Sequence, residues 1–329
     1  MSPAAPLGSI SPDSARRPRS ARIKLNDQST LIKVANAPVS WGVIEFDLEG
    51  QTAGPAQVLD EIQETGYNGT ELGDWGFLPT DPEELGQALQ ARELELLGAF
   101  VPVALAEPEA RAGGISRALR AARLLAAVSG EDPFIILSDD NGTVALRTEN
   151  AGRIGPEHGL SEHEWDVFAS GAVEIAAVVN EEAGLRTVFH HHCAGYVETP
   201  SELEALMART DPSLLGLCLD TGHYAFGGGD PVEAAERYAD RLWHVHFKDC
   251  HPDVAASSRS EGWDYFRSVR EGIFAELGRG DVDFAGMLSN LKHTGYDGWI
   301  VVEQDVLPGL GSPKESAARN RAHLRELGL

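Results

Sequence analysis

The stretch Leu215-Gly216-Leu217-Cys218-Leu219-Asp220-Thr221-Gly222-His223 decides how this chain is read. A short run suited to a buried strand passes directly into a carboxylate, a hydroxyl, a glycine and an imidazole, so an apolar segment ends in metal-binding chemistry. The same ending recurs on both sides. Upstream, Val188-Phe189 leads into His190-His191-His192; downstream, Leu242-Trp243 leads into His244-Val245-His246-Phe247-Lys248-Asp249, and Val301-Val302 into Glu303-Gln304-Asp305. Side chains alternate along a strand, so His190 and His192 share one face, as do His244 and His246.

Working outward from that stretch, eight apolar runs read as strands: 32–37, 69–72, 96–101, 134–137, 187–190, 215–219, 242–246 and 299–302. Amphipathic stretches at 56–65, 83–92, 115–128, 163–183, 201–209, 231–239 and 284–293 read as the helices between them, with a last helix near 313–327. Alternating strands and helices predict an α/β fold around a parallel sheet, and eight units predict a closed (β/α)8 barrel in a single domain over 31–329. Gly66, Gly184 and Gly295 each follow a helical stretch at the position where helices turn off. No GxGxxG follows the first strand, which opposes a dinucleotide-binding sheet, and Gly227-Gly228-Gly229 reads as a turn.

The 329 residues carry 51 acidic against 27 basic side chains, a net charge of −24 that repels nucleic acid and anionic lipid. No apolar run approaches the roughly 18 residues needed to span a bilayer. Three cysteines, Cys193, Cys218 and Cys250, lack paired spacing and point to a reducing, cytoplasmic setting. Residues 1–30 hold four prolines and four arginines, without the apolar core of a signal peptide, and read as a flexible extension. The expected partner is a small molecule, with a homo-oligomer left open.

A barrel carries its chemistry at the carboxyl ends of its strands, where these carboxylates and imidazoles converge. Such groups suit a divalent ion, Mn²⁺, Co²⁺, Zn²⁺ or Mg²⁺. Acid and base candidates near strand ends are Glu71, His192, Glu198, His223 and Lys248, the last with a salt bridge to Asp249 as its plain alternative. Trp41 is a candidate wall for the apolar face of a substrate ring, with a core position as its alternative.

These residues carry a resemblance. Ala37-Pro38-Val39-Ser40-Trp41-Gly42, Gly66-Tyr67-Asn68-Gly69-Thr70-Glu71-Leu72-Gly73, the Asp220-to-His223 motif, the His244-to-Asp249 run, Leu277-Gly278-Arg279-Gly280-Asp281-Val282-Asp283-Phe284 and Gly295-Tyr296-Asp297-Gly298-Trp299 follow one another in order. Over residues 32–327 the chain resembles the xylose isomerase-like barrels of the sugar isomerase and epimerase superfamily, and within it the inosose dehydratases. The resemblance implies a metal held by groups from the last four barrel strands. Asp220, His246 and Glu303 match three of those positions. His190 stands where a glutamate is usual, with His192 and Glu198 as other candidates for that place. It also implies Mn²⁺ or Co²⁺ foremost, and dehydration of a keto-inositol such as 2-keto-myo-inositol by way of an enediolate. Isomerisation or epimerisation of a ketose or sugar phosphate, or elimination from a 3-keto-glycoside, is the alternative. In these roles Glu71, His192, His223 and Lys248 would be catalytic, and Trp41 and Glu198 would contact substrate.

Overall fold

The computed structural model describes residues 32–42, 53–130, 132–305 and 311–329. The expected extension over 1–30 lies outside them.

Nine parallel strands form the central sheet: β1 (Lys33–Asn36), β2 (Gly69–Thr70), β3 (Glu95–Leu96), β4 (Gly98–Pro102), β5 (Phe134–Ser138), β6 (Arg186–His190), β7 (Leu215–Asp220), β8 (Leu242–Phe247) and, after a small ribbon, β11 (Trp299–Val302). Their order is β3-β2-β1-β11-β8-β7-β6-β5-β4, so the first and last barrel strands are neighbours, Lys33 opposite Trp299 and Asn36 opposite Val302. The two ends of the sheet, β3 and β4, are separated only by Leu97. Its amide donates to the Thr70 carbonyl at 2.9 Å, and its carbonyl accepts from the Phe134 amide at 2.9 Å. The ring is therefore closed through Leu97, and the expected third strand is one stave interrupted at a single residue.

The helices follow local chemistry. α1 (Pro55–Glu64) and α2 (Pro82–Gln90) start on proline, α2 with the Asp81 carboxylate accepting from the Glu83 and Glu84 amides. α3 (Ala110–Val128) begins five residues before the sequence expectation, and α4 (Ala145–Glu149) is a short turn absent from it. α5 (Glu162–Ala183) and α6 (Pro200–Arg209) carry reciprocal caps, Ser161 with Glu164 and Thr199 with Glu202. α7 (Thr221–Phe226), α8 (Pro231–Arg237), α11 (Phe284–Thr294) and α12 (Pro313–Glu326) complete the outer layer. Gly184 and Gly295 end α5 and α11 at φ of 68° and 74°, a left-handed turn that disfavours any side chain.

An insertion absent from the expected elements covers the barrel mouth. β9 (Asp249–Cys250) and β10 (Phe274–Ala275) form an antiparallel ribbon, with α9 (Pro252–Glu261) and α10 (Tyr265–Arg270) between them. Asp249 anchors it by accepting from the Cys250, Gly278, Gly280 and Val282 amides.

Two buried layers result from strand alternation. Outward-facing side chains such as Phe189 and Leu217 pack against the helices, Phe189 edge-on to Phe168 at 5.9 Å. Inside the barrel, Ala35, Leu97, Trp299 and Val301 form one cluster, and Phe134, Ile136, Val188 and Cys218 another. Burial of each large apolar side chain contributes about 1.5–3 kcal/mol, and above these layers the inward positions turn polar.

Candidate active site

The inward positions at the carboxyl ends of the last four staves are His190 on β6, Asp220 on β7, His246 on β8 and Glu303 just beyond β11. One ligating atom from each lies within 4.8 Å of the others. His190 Nδ1 and Nε2, Asp220 Oδ2 and His246 Nδ1 are buried and have no hydrogen-bond partner. Buried polar atoms are normally paired, and here the nearest neighbours are members of the same set, His246 Nδ1 3.3 Å from Glu303 Oε1 and His190 Nε2 3.7 Å from Asp220 Oδ2, a grouping that matches the donor set of a divalent cation. The neighbouring atoms are held in place: Asp220 Oδ1 accepts from the His223 amide at 2.8 Å, and the Glu303 amide donates to the Phe247 carbonyl at 3.0 Å.

Glu71, just beyond β2, stands against this locus. Its Oε1 accepts from His246 Nε2 at 2.9 Å and His244 Nε2 at 2.8 Å. Although burial opposes it, Cys218, Glu303 and Glu71 raise His246 well above the usual imidazole range, so without an ion it is an imidazolium; an ion would take the place of the Nδ1 proton while Nε2–H stays on Glu71. Two other triads are close enough to share an ion, Glu71 with His244 and His246, and His190 with Cys218 and His246. In the first, both imidazole Nε2 atoms already donate to Glu71. In the second, burial pushes the Cys218 thiol up to about 12, which keeps it protonated.

Electrostatics follows from packing many charges in a dry space. Burial alone would raise Glu71, yet the His246 charge and the hydrogen bonds from His244 and His246 hold it at about 2. Burial likewise opposes ionisation of Asp220 and Glu303, but Lys248 and His190 hold Asp220 down, and His246 and Lys248 hold Glu303 down. Lys248 Nζ lies 3.4 Å from Glu303 Oε2, 3.5 Å from Asp305 Oδ1 and 3.4 Å from His223 Nε2. Burial would discharge it, but Asp305, Glu303 and Asp220 raise its pKa, so it is an ammonium. Its partners are thus Glu303 and Asp305 rather than Asp249, which is occupied by backbone amides.

His192 follows β6, its Nδ1 2.6 Å from the Cys193 carbonyl and its ring 3.8 Å from that of His223. Burial, with His190 nearby, lowers it to about 3, and burial also lowers His223 well below the usual imidazole range. Donation from Nδ1–H to the carbonyl leaves the Nε2 lone pair free. His191 points the other way, its Nε2 accepting from the Asp220 amide at 3.2 Å.

A cleft enclosing about 740 Å³ out to its mouth opens above these groups. Glu71, His190, His192, Lys248 and Glu303 line it, joined by Asp74, Phe100, Tyr265 and Asp305, which the sequence reading did not select. Asp305 was within reach of that reading, because it stands two residues from Glu303. Tyr265 carries no local signal, since the inserted α10 brings it there. Asp220 and His246 stand beside His190 and Glu303 without lining the cleft, and three further candidates lie away from it. His223 sits behind Lys248, outside the lining. Trp41 is buried with its Nε1–H donating to Glu61 Oε2 at 2.6 Å, so its ring serves the core rather than a substrate wall. Glu198 does not reach the cleft: Oε1 accepts from the Gly152 amide and Oε2 from the Ala194 amide, and burial raises its pKa to about 7. It instead holds Ala194 at a left-handed φ of 65° in the turn after His192.

A closed parallel barrel with such a constellation at its strand ends defines an α/β-barrel protein with residues that could hold a metal at its carboxyl face. The chain belongs to the xylose isomerase-like TIM barrel family, whose model matches residues 59–327. It is similar to an inosose dehydratase of Lactiplantibacillus plantarum, 32% identical over 90% of this chain and 96% of that protein. It is also similar to one of Geobacillus kaustophilus, 31% identical over 90% and 94%. Among solved structures, a probable 3-DHS dehydratase of Bacillus anthracis shares the fold at a TM-score of 0.66, with 15% identity over 89% of this chain and 99% of that one. A 3-keto-D-glucoside 4-epimerase of E. coli does so at 0.63, with 18% identity over 90% and 99%. Among the described residues no helix is long and apolar enough to cross a membrane.

Proposed function

We propose that this chain is a divalent-metal-dependent hydro-lyase of the cytoplasm that removes water from a keto-inositol such as 2-keto-myo-inositol. The observation that carries the reading is the convergence of unpaired atoms from His190, Asp220 and His246, with the Glu303 carboxylate, beside the Lys248 ammonium in one cleft. Relatives named inosose dehydratase, matched over nine tenths of the chain, support the substrate. His190, Asp220, His246 and Glu303 would hold the ion, Mn²⁺ or Co²⁺ foremost; when bound it supplies polarisation of a ketone oxygen.

The remaining chemistry falls to protein groups. His192, neutral and with Nε2 free, takes the proton from the carbon beside the ketone. Lys248 gives a proton to the β-hydroxyl as its bond to carbon breaks, so one C–H and one C–O bond are lost, a C=C bond forms and water leaves. Glu71 orients His246, and Asp305 and Glu303 keep Lys248 charged.

Purified protein supplied with Mn²⁺ or Co²⁺ and 2-keto-myo-inositol should yield a product lighter by one water that absorbs in the ultraviolet. A product of unchanged mass, with solvent deuterium incorporated beside the ketone, would replace the lyase with an epimerase of the same superfamily.

A further inference from the structure

A second cleft of about 1070 Å³ adjoins the first, the two sharing Gly73, Asp74 and Phe100 in their linings. It is built from four sources: the loop after β2, the strand β4, the α3 face bearing Arg117 and Arg120, and the loop after β5 with Asp140 and Asn141. On its β2 side stands Trp75, one of two large apolar side chains exposed among the described residues, at 38%. The Arg120 guanidinium lies 4.1 Å from the indole centroid, and Arg117 is steadied by donating to the Pro102 carbonyl at 3.0 Å. Asn141 is 4% exposed, its amide donating to Ser138 Oγ while its carbonyl oxygen has no partner.

This chemistry selects a ligand. Arg120 covers one face of the indole, and its other face offers a flat surface for the C–H face of a ring, while arginines donate and carboxylates accept, which suits hydroxyl groups that do both. Two arginines are balanced by Asp74 and Asp140, so the cleft has no excess of positive charge to capture a phosphate or carboxylate. We propose that it is a subsite for a neutral hydroxylated ring, placed so that a ketone in the catalytic cleft can carry a second sugar ring. The proposal rests on the catalytic reading of the first cleft only for its orientation; binding at the second can be measured separately.

Titration of the full chain with methyl β-glucoside, followed by saturation-transfer NMR, should show saturable binding in the millimolar range that weakens at least tenfold in Trp75→Ala and in Arg120→Ala. No saturable binding, or equal binding by wild type and Trp75→Ala, overturns the proposal. So does a change in solution mass on Trp75→Ala, which would place the indole in a subunit contact. In turnover, the ratio of kcat/KM for a glucosyl 3-keto-glucoside to that for 2-keto-myo-inositol should fall at least tenfold in Trp75→Ala, and a constant ratio would count against the subsite. Failure of both substrates to react would refute the lyase reading while leaving the binding result to stand alone.

Discussion

Glu71 and His246 meet on the barrel axis, Glu71 Oε1 accepting from His246 Nε2 at 2.9 Å, with His244 Nε2 donating to the same oxygen at 2.8 Å. One carboxylate oxygen thus fixes two imidazoles. Although burial opposes it, the His246 and His244 interactions hold Glu71 near pKa 2, and its Oε1 is committed to both imidazoles. Its task is better assigned to orientation of His246 than to the base role expected from its position at a strand end.

Replacing Glu71 should therefore show itself in metal binding. Glu71→Gln is expected to weaken Mn²⁺ or Co²⁺ affinity by about 10- to 100-fold, the usual effect of removing a carboxylate behind a metal-bound imidazole. Isothermal titration reads this directly. A large loss of kcat at unchanged metal affinity would return Glu71 to the role of base.

The adjacent pair His190 and His191 offers a sharper contrast. His190 has both ring nitrogens unpaired, whereas His191 accepts from the Asp220 amide. His190→Ala should lower bound metal, measured by elemental analysis of dialysed protein. His191→Ala should retain the metal but lose about 1–3 kcal/mol of stability in urea, because it strands a buried amide.

Much of this site was legible because strand periodicity is a local property. Alternation placed His190 with His192, and His244 with His246, and apolar runs ending in Asp220 and Glu303 marked the carboxyl ends of staves. What was hidden is non-local. Glu61 lies twenty residues from Trp41 and claims its indole nitrogen, while amides of Gly152 and Ala194 claim Glu198. The inserted α9 and α10 carry polar, weakly periodic sequence, so Tyr265 could not be assigned to the mouth. The third stave was found, but its break at Leu97 depends on pairing with Thr70 and Phe134.

Buried neutral imidazoles predict acid sensitivity in chelator-treated protein. His191 and His192, lowered to about 3 chiefly by burial, stay uncharged in the fold, whereas the unfolded chain protonates them below about 6.5. The unfolded state then binds more protons, so stability falls as pH drops from 6.5 toward 3, by up to about 1.4 kcal/mol per pH unit for each histidine. Urea midpoints measured between pH 7.5 and 5 should decline accordingly. A His191→Gln, His192→Gln double variant should flatten that decline, and an unchanged slope would contradict the assignment.

Lys248 provides the test that separates the ion's surroundings from the chemistry. Its ammonium lies 3.4 Å from Glu303 and 3.5 Å from Asp305, and these carboxylates raise its pKa despite burial. A cation beside the metal locus opposes binding of a second cation, so Lys248→Met should hold the divalent ion as tightly as wild type or more so. The same variant loses the group assigned to protonate the departing hydroxyl, and kcat/KM should fall by about 10²- to 10⁴-fold. Because the wild-type lysine stays charged, the activity profile should show no basic limb from its deprotonation up to about pH 10. Weakened metal binding in proportion to lost activity would instead make Lys248 a support for Glu303, with proton donation passing to another group in the cleft.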